Sequence, residues 1–109
     1  MSAAGPILRL FEVRVREGYD KELLGKFAST SAAVVRDEPG NLGYFLRKVV
    51  LSDDGVVVFA SLWADLNAIQ ERFGENWQSP YLPPGYERLI DECSVRHIDV
   101  SSGWHFRRE

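Results

Sequence analysis

The stretch EPGNLGYFLRKVVLSDDGVVVFASLWADLNAI, residues 38–69, decides how this 109-residue chain folds. Pro39 and Gly40 end a helix, because proline lacks an N–H group and glycine costs backbone entropy. Residues 42–51 and 56–63 are rich in β-branched and aromatic side chains, which favour strands. The residues between them end in Asp54-Gly55, which is a strong hairpin signal. We therefore predict a helix end, a strand, a tight turn, a second strand and the start of another helix.

The second of these strands, VVVFASLW at residues 56–63, is nearly apolar on both of its faces. An antiparallel sheet commonly leaves one face in water and then shows a clean alternation of apolar and polar residues. Because this strand lacks that alternation, both faces of its sheet need a cover. The chain's own helices can cover one face, and we predict that a second copy of the protein covers the other.

Two further strands and a first helix complete the pattern outside this stretch. Residues 7–15 (ILRLFEVRV) predict a first strand, with an apolar face that Arg9 interrupts. Residues 20–37 predict a helix, Asp65 is the expected N-cap of the next helix, and residues 92–100 predict the fourth strand. The order strand, helix, strand, strand, helix, strand predicts an α+β fold. It is the ferredoxin-like split βαβ arrangement, with a four-stranded antiparallel sheet and both helices on one face.

Length and composition restrict the class of protein. With 45% hydrophobic residues, the chain predicts a single domain over residues 1–109, with a core of about residues 7–100 and a tail at 101–109. A net charge of −3 argues against a nucleic-acid partner. No apolar run reaches spanning length and nothing resembles a signal peptide, so we expect a cytoplasmic protein without a membrane partner. One cysteine, two separated histidines and the lack of a phosphate-binding glycine loop predict no metal or other cofactor.

Three stretches of the sequence resemble a known family. They are REGYDKELL after the first strand, then EPGNLGYFL, then VVFASLWADLNAI. In order and spacing they resemble the antibiotic biosynthesis monooxygenase (ABM) family, whose members are dimeric α/β barrels with a ferredoxin-like protomer. The resemblance implies a homodimer that needs no cofactor. It also implies an oxygenase in which the carbanion of a small phenolic, quinol or polyketide-like aromatic compound reduces dioxygen itself.

The haem-degrading branch of that family has features that this sequence lacks. For a haem-degrading member, the resemblance would imply a Trp within the second helix and a His soon after that helix. Here the second helix, LNAIQERFG, has no Trp, and no His lies between Trp63 and His97. The sequence therefore disfavours haem degradation.

A cofactor-free oxygenase needs an apolar cleft, a base and donors that hold an oxyanion. His97 is the candidate catalytic base, because histidine alone has an ordinary pKa near pH 7; a hydrogen-bonded structural histidine is the alternative. The candidate substrate-binding residues are all aromatic: Phe11, Tyr44, Phe59, Trp63, Trp77 and Tyr81.

Each aromatic candidate has a structural alternative. Trp63 can instead pack in the core with its N–H on a carbonyl, and Tyr44 can point into a dimer interface. Trp77 and Tyr81 lie in the irregular, proline-rich stretch 75–85, which can be a lid or can fill the gap between sheet and helices. The tail carries Trp104 and Phe106, and we expect it to pack across the subunit boundary.

Two other functions stay open at this point. One is a non-catalytic domain for ligand binding or assembly, and the other is an isomerase. A cleft that is open and faced by His97 or another titratable group favours catalysis. A cleft filled by the protein's own side chains favours the non-catalytic domain, and these side chains would be Phe11, Phe59, Trp63 and Leu66.

Overall fold

The computed structural model describes residues 5–49 and 55–102. In chain order its elements are β1 (Ile7–Val15), α1 (Asp20–Lys26), a π-helical turn (Phe27–Ser31), α2 (Ala32–Val35), β2 (Asn41–Lys48), β3 (Val56–Trp63), α3 (Leu66–Phe73), two 3₁₀ turns (Gly74–Asn76 and Glu87–Leu89) and β4 (Ile90–Asp99). Apart from Gly55, the predicted hairpin turn lies outside the described residues, as do Trp104 and Phe106 of the tail. Within the described ranges, no helix combines the length and the apolar character needed to cross a membrane.

The four strands form one antiparallel sheet in the order β2-β3-β1-β4. This order puts β3 and β1, the two apolar strands, in the centre and leaves β2 and β4 at the edges. Helices cover one face of the sheet, and the strand boundaries of β3 are those that the sequence predicts. The ferredoxin-like α+β fold is therefore confirmed.

The core lies between the sheet and the helices. Every second residue of β1 points into it and is buried, and this row consists of Ile7, Arg9, Phe11, Val13 and Val15. Leu23 and Phe27 from the first helical segment and Ile69 from α3 are fully buried in the same core. Burying an apolar side chain of this size contributes about 1.5–3 kcal/mol. Arg9 is the one charged residue in this otherwise apolar row.

The helix predicted over residues 20–37 contains one π-helical turn, Phe27–Ser31. At the start of this turn, the carbonyl of Lys26 accepts a hydrogen bond from the hydroxyl of Tyr86, 3.0 Å away. Single π-helical turns inside α-helices are frequent at functional sites. The turn separates α1 from α2 and brings Ser31 to 2.6 Å from the same tyrosine hydroxyl.

Pro39 and Gly40 end the helical segment as predicted. Gly40 has a φ of +87°, in the left-handed region that favours glycine, and its carbonyl accepts from the N–H of Ala64 at 2.7 Å. Asp65 caps α3 as expected, because its carboxylate accepts from the N–H of Ala68 at 2.9 Å. These contacts tie the end of the first helical segment to the start of α3.

The second face of the sheet, which we call the open face, has no helix on it among the described residues. Its apolar side chains come from all four strands: Leu8, Leu10, Phe45, Val56, Val58, Ala60, Leu62 and Ile98. Phe45 is 52% exposed there, which is a large fraction for a phenylalanine. Charged residues on the same face pair with one another, Glu12 with Arg96 at 3.8 Å and Arg14 with Glu92.

Candidate ligand-binding site

Four polar side chains lie side by side across the covered face of the sheet. The strand register pairs Arg9 of β1 with His97 of β4 on one side and with Ser61 of β3 on the other. Ser61 pairs in turn with Tyr44 of β2. We call this set the polar row. The row beside it is apolar, and it consists of Val95, Phe11, Phe59 and Leu46.

Arg9 is the central residue of the polar row and is only 5% exposed. Its Nη1 donates to the carbonyl of Trp77 at 2.6 Å and to Nε2 of His97 at 3.0 Å. Its Nη2 donates to the carbonyl of Ser79 at 3.2 Å. The guanidinium carbon lies 3.9 Å from the ring centroid of Phe73, within the range of a cation–π interaction. These contacts hold the guanidinium in one orientation.

No carboxylate in the described part of the chain pairs with Arg9, whose acceptors are two carbonyl oxygens and one imidazole nitrogen. Burial lowers the pKa of Arg9 from its ordinary value to about 10, so the side chain is still a cation at neutral pH. A buried charge is unfavourable unless it is paired or well hydrogen-bonded. The site therefore has a positive charge that an anion can compensate.

His97 supports Arg9 as a hydrogen-bond acceptor. A guanidinium can only donate, so Nε2 of His97 is the acceptor and the proton of the neutral ring is on Nδ1. Burial, and after it the charge of Arg9, lowers the pKa of His97 from 6.5 to about 4. The indole of Trp77 packs edge-on against this imidazole, with 4.9 Å between the ring centroids. His97 is thus neutral at pH 7 with its accepting nitrogen already in use.

A cavity of about 40 Å³ lies beside Arg9, between the sheet and the helices. Its described lining is mostly apolar, with one cation and no acidic residue: Arg9, Phe11, Ser31, Val34, Val35, Phe59, Ser61, Phe73, Tyr81 and Pro83. A water molecule needs roughly 10–15 Å³ of such space, whereas an engineered cavity that binds benzene measures about 150 Å³. The cavity is therefore a narrow cleft that an aromatic ligand would have to widen.

Residues 77–83, which we call the strap, border this cavity without regular secondary structure. The carbonyls of Trp77 and Ser79 are the ones that accept from Arg9. Tyr81 contributes a ring that packs against Phe73, with 6.2 Å between the centroids, and it is 48% exposed. Because about half of the Tyr81 side chain is exposed, moving its ring outward would lose less apolar contact than moving a fully buried ring. Arg9 thus holds the strap through two hydrogen bonds, to the carbonyls of Trp77 and Ser79.

Three of the predicted site residues line the cavity, namely Phe11, Phe59 and Tyr81. Tyr44 does not line it but stacks on Phe59, with the two rings 11° from parallel and their centroids 5.7 Å apart. Leu66, which the non-catalytic alternative would place in the cleft, is not part of the described lining.

The other predicted site residues lie behind the wall of the cavity. His97 and Trp77 contact Arg9 and each other instead of lining the space. Trp63 is fully buried and its Nε1–H donates to Oγ of Ser61 at 2.9 Å. The core alternative thus describes the position of Trp63, with a hydroxyl as the acceptor in place of the expected carbonyl.

The predicted set misses the polar residues of the lining, Arg9, Ser31 and Ser61, and also Phe73. One signal for Arg9 is present in the sequence, because it is the single charge on the apolar face of β1. Ser31 reaches the cavity from the π-helical turn. Since the one proton of the Tyr86 hydroxyl goes to the Lys26 carbonyl, Ser31 must donate to Tyr86. The lone pairs of Ser31 are therefore left to accept from a ligand.

Comparison with known families identifies the family to which the chain belongs. Residues 6–76, more than half of the chain, match the model of the family described as antibiotic biosynthesis monooxygenase. The chain therefore belongs to the antibiotic biosynthesis monooxygenase family. No curated protein matches the chain significantly.

Several solved structures share the fold across nearly the whole chain. SnoaB, a cofactor-independent oxygenase from Streptomyces nogalater, is 18% identical, with 92% of this chain and 97% of that chain covered and a TM-score of 0.68. The heme-degrading protein Rv3592 from Mycobacterium tuberculosis is 21% identical, with coverages of 92% and 99% and a TM-score of 0.65. PA3566 from Pseudomonas aeruginosa is 18% identical, with coverages of 91% and 97% and a TM-score of 0.67. At such identities the similarity establishes the fold alone.

Proposed function

We propose that the protein is a cofactor-independent monooxygenase that oxidises a small phenolic, quinol or polyketide-like aromatic compound in the cavity beside Arg9. The observation that carries this proposal is a buried guanidinium that faces aromatic rings and has no carboxylate partner among the described residues. Membership of the family and the fold shared with SnoaB support the type of reaction.

In this reaction the substrate supplies all the electrons. Loss of a proton from a phenol or an activated carbon gives an anion with carbanion character, and this anion reduces dioxygen. For a methylene group the balance is CH₂ + O₂ → C=O + H₂O. One oxygen atom enters the product, and the other leaves as water with the two hydrogens of the carbon. For this reaction the protein must bind the substrate, stabilise its anion and exclude bulk water.

Arg9 would stabilise the substrate oxyanion as it forms. A fixed donor in a site that excludes water interacts with charge more strongly than the same donor in water. Phe11 and Phe59 would hold the aromatic ring, and Ser31 could accept a hydrogen bond from a second hydroxyl of a quinol. In this proposal Arg9 favours the ionised form of the phenol, which releases its proton to bulk water as it enters the cavity.

The expected role of His97 as the base stays a prediction, and the geometry favours a supporting role over it. To accept a proton on Nε2, His97 would have to break its bond to Arg9. With a pKa of about 4 it is also a weak base at neutral pH. The proposal therefore assigns to His97 the task of holding the guanidinium in place.

The proposal includes a homodimer joined through the open face. Eight apolar side chains from four strands share that face, and a depression in it is lined by Leu8, Phe45, Ala60 and Leu62, among others. Large exposed apolar patches mark interaction sites, and a stable interface buries more than about 1,000 Å² in total. A second copy of the same face would supply matching apolar surface, as in the dimeric barrels that the family resemblance implies.

Other functions could use the same cavity. An isomerase would form the same anion and return the proton to a different carbon, and a binding domain would use the cavity without a reaction. The small volume of the cavity, about 40 Å³, favours a non-catalytic assembly domain, which needs no space for a ligand. Haem degradation has less support, because α3 lacks a Trp, the cavity is only about 40 Å³, and Nε2 of His97 is occupied by Arg9.

Oxygen uptake by purified protein tests the proposal. A panel of hydroquinones and anthrones is incubated with the protein in an oxygen electrode, and ¹⁸O₂ is used to label the product. We expect uptake of one O₂ and entry of one labelled atom per product molecule for at least one compound. Val34→Phe, which adds bulk to the cavity lining, should abolish uptake. Uptake no faster than in buffer, or the same in both proteins, would contradict the proposal, and turnover without oxygen would indicate an isomerase.

A further inference from the structure

The lining of the cavity carries a net positive charge. Arg9 is its single ionised residue, and no acidic residue is part of the described lining. Arg72 also approaches the Phe73 ring, at 5.3 Å, but it has Glu38 as an ion-pair partner at 3.4 Å. A neutral occupant would leave the charge of Arg9 uncompensated, whereas an anion would compensate it.

Arg9 also has N–H groups left for an occupant. A guanidinium has five N–H donors, and the contacts to Trp77, Ser79 and His97 use three of them. The N–H of Nε and one N–H of Nη2 have no acceptor among the described residues. Every fully buried side-chain nitrogen or oxygen in the described part of the chain has a hydrogen-bond partner. Nε of Arg9 therefore borders space that a ligand atom can reach.

The other residues that line the cavity favour an aromatic ligand. Four aromatic rings, those of Phe11, Phe59, Phe73 and Tyr81, surround the space next to the guanidinium. Such rings bind another aromatic ring in offset or edge-to-face contact. A planar group with two oxygen atoms can accept two parallel N–H bonds from a guanidinium, which an ammonium group cannot offer in the same way.

We propose that the ligand of this cavity is a small aromatic molecule that binds as an anion, with a planar carboxylate or a phenolate oxygen on Arg9. This inference rests on the proposed function only in taking the cavity as the ligand site. It adds that the negative charge is present on binding, so that Arg9 determines specificity between anions and neutral molecules of the same shape. Entry of the ring widens the cavity on the side of the strap, where Tyr81 is half exposed.

Calorimetric titration without oxygen tests this inference on the unmodified protein. The ligands are benzoate and salicylate as carboxylates, 4-nitrophenolate as a phenolate, benzamide as a neutral molecule of the same shape, and cyclohexanecarboxylate as an anion without an aromatic ring. We expect benzoate or 4-nitrophenolate to bind at least about tenfold more tightly than benzamide, the equivalent of one charge-assisted hydrogen bond. The tighter-binding ligand of that pair shows whether Arg9 binds a carboxylate or a phenolate oxygen. Equal affinity for benzoate, 4-nitrophenolate and benzamide, or no binding of any aromatic ligand, would overturn the inference.

Variants of Arg9 give a second and independent readout. Arg9→Gln should weaken binding of the preferred anion about ten- to a hundredfold. The affinity of Arg9→Lys should lie between those of the wild type and Arg9→Gln, because lysine keeps the charge but lacks the planar guanidinium. Arg36→Gln, at an exposed arginine of the helical layer, is the matched control and should bind as the wild type does. Circular dichroism verifies that each variant is folded. A folded Arg9→Gln protein that binds the anion as tightly as the wild type would overturn the inference.

The two proposals fail in different ways. Binding of anions that depends on Arg9, with no oxygen uptake in any assay, would leave this inference standing and refute the monooxygenase. Oxygen uptake with neutral phenols, together with anions that do not bind, would support the monooxygenase and refute this inference.

Discussion

At the scale of single residues, the pair of Arg9 and His97 determines the properties of the site. Among the described residues no carboxylate pairs with Arg9 or with His97, and Nη1 of Arg9 donates a hydrogen bond to Nε2 of the neutral imidazole. The arrangement requires His97 to be neutral, because a protonated imidazole has no lone pair to offer to the guanidinium. Protonation of His97 would therefore both break this bond and place two cations side by side.

This coupling predicts how stability depends on pH. The pKa of His97 is about 4 in the folded protein and ordinarily 6.5, so the unfolded chain binds more protons between these values. The stabilisation is complete above the ordinary pKa and is lost as the pH falls toward the folded pKa. We expect the free energy of unfolding, measured by denaturant titration from about pH 7.5 to about pH 4.5, to fall more steeply for the wild type than for His97→Gln. Asp20 and Asp99, whose pKa values are lowered, contribute to both proteins and cancel in the comparison. Parallel curves would contradict the assignment.

Residues also show where prediction from sequence succeeds and where it stops. Phe11 and Phe59 could be predicted as cavity residues because their alternation in β1 and β3 assigns them to one face. Arg9 is visible in the sequence as a charge on that face, but its neighbours follow from the register of three strands. His97 lies 88 residues away from Arg9 in the sequence, and no local pattern joins them. The sequence allowed a hydrogen-bonded structural histidine as an alternative, but only the fold showed that its partner is Arg9.

At the scale of elements, the close approach of Gly40 to α3 fixes how the first helical segment leads into β2. Gly40 has φ +87°, and a Cβ atom added to it would lie 2.6 Å from Cβ of Ala68. Gly18 has nearly the same backbone conformation, with φ +89°, but nothing lies within 4 Å of an added Cβ there. The two glycines thus separate the effect of backbone strain from that of a clash.

We expect Gly18→Ala to lower the free energy of unfolding by about 1–2 kcal/mol, the cost of the left-handed conformation alone. Gly40→Ala should lose this amount and about 1–3 kcal/mol more, because Ala68 and α3 must shift. Urea denaturation of both variants measures the difference. Equal losses would mean that α3 does not pack against this turn as described.

The elements that local patterns predict are those with signals at both ends. α3 has Asp65 as its cap and Gly74 at its end, and the turn at Pro39-Gly40 has residues that exclude a helix. The π-helical turn has no such signal. The carbonyl of Lys26, at the start of the turn, accepts from the hydroxyl of Tyr86, which is 60 residues away in the sequence. An interaction of that range cannot be inferred from the sequence of the helix.

At the scale of the whole molecule, the sheet divides the protein into a covered face with a cavity and an open face with an apolar surface. A protein that left Phe45, Leu62 and Ile98 in water would expose a patch of the kind that mediates association. The two faces share β1 and β3, so that residues on one face of these strands line the candidate ligand site and the alternating residues form the proposed interface.

A charge in the open face should therefore prevent dimerisation. We expect the wild type to be a dimer at micromolar concentration by light scattering, and Leu62→Asp to be a folded monomer. Gln70→Asp places the same carboxylate on the exposed surface of α3 and should leave the dimer intact. A monomeric wild type, or a Leu62→Asp protein that is still a dimer, would exclude the open face as the interface.

The central claim is that ligands bind in the cavity beside Arg9 and not elsewhere on the molecule, and NMR of ¹⁵N-labelled protein tests it most directly. Titration with the tightest-binding aromatic anion should shift the Nε–H signal of Arg9, the amide of Ser61 and the amides of the strap. Signals from the apolar depression of the open face, such as Gly43, Phe45 and Leu62, should stay in place. Shifts confined to that depression, with an unmoved Arg9 Nε–H signal, would contradict the claim.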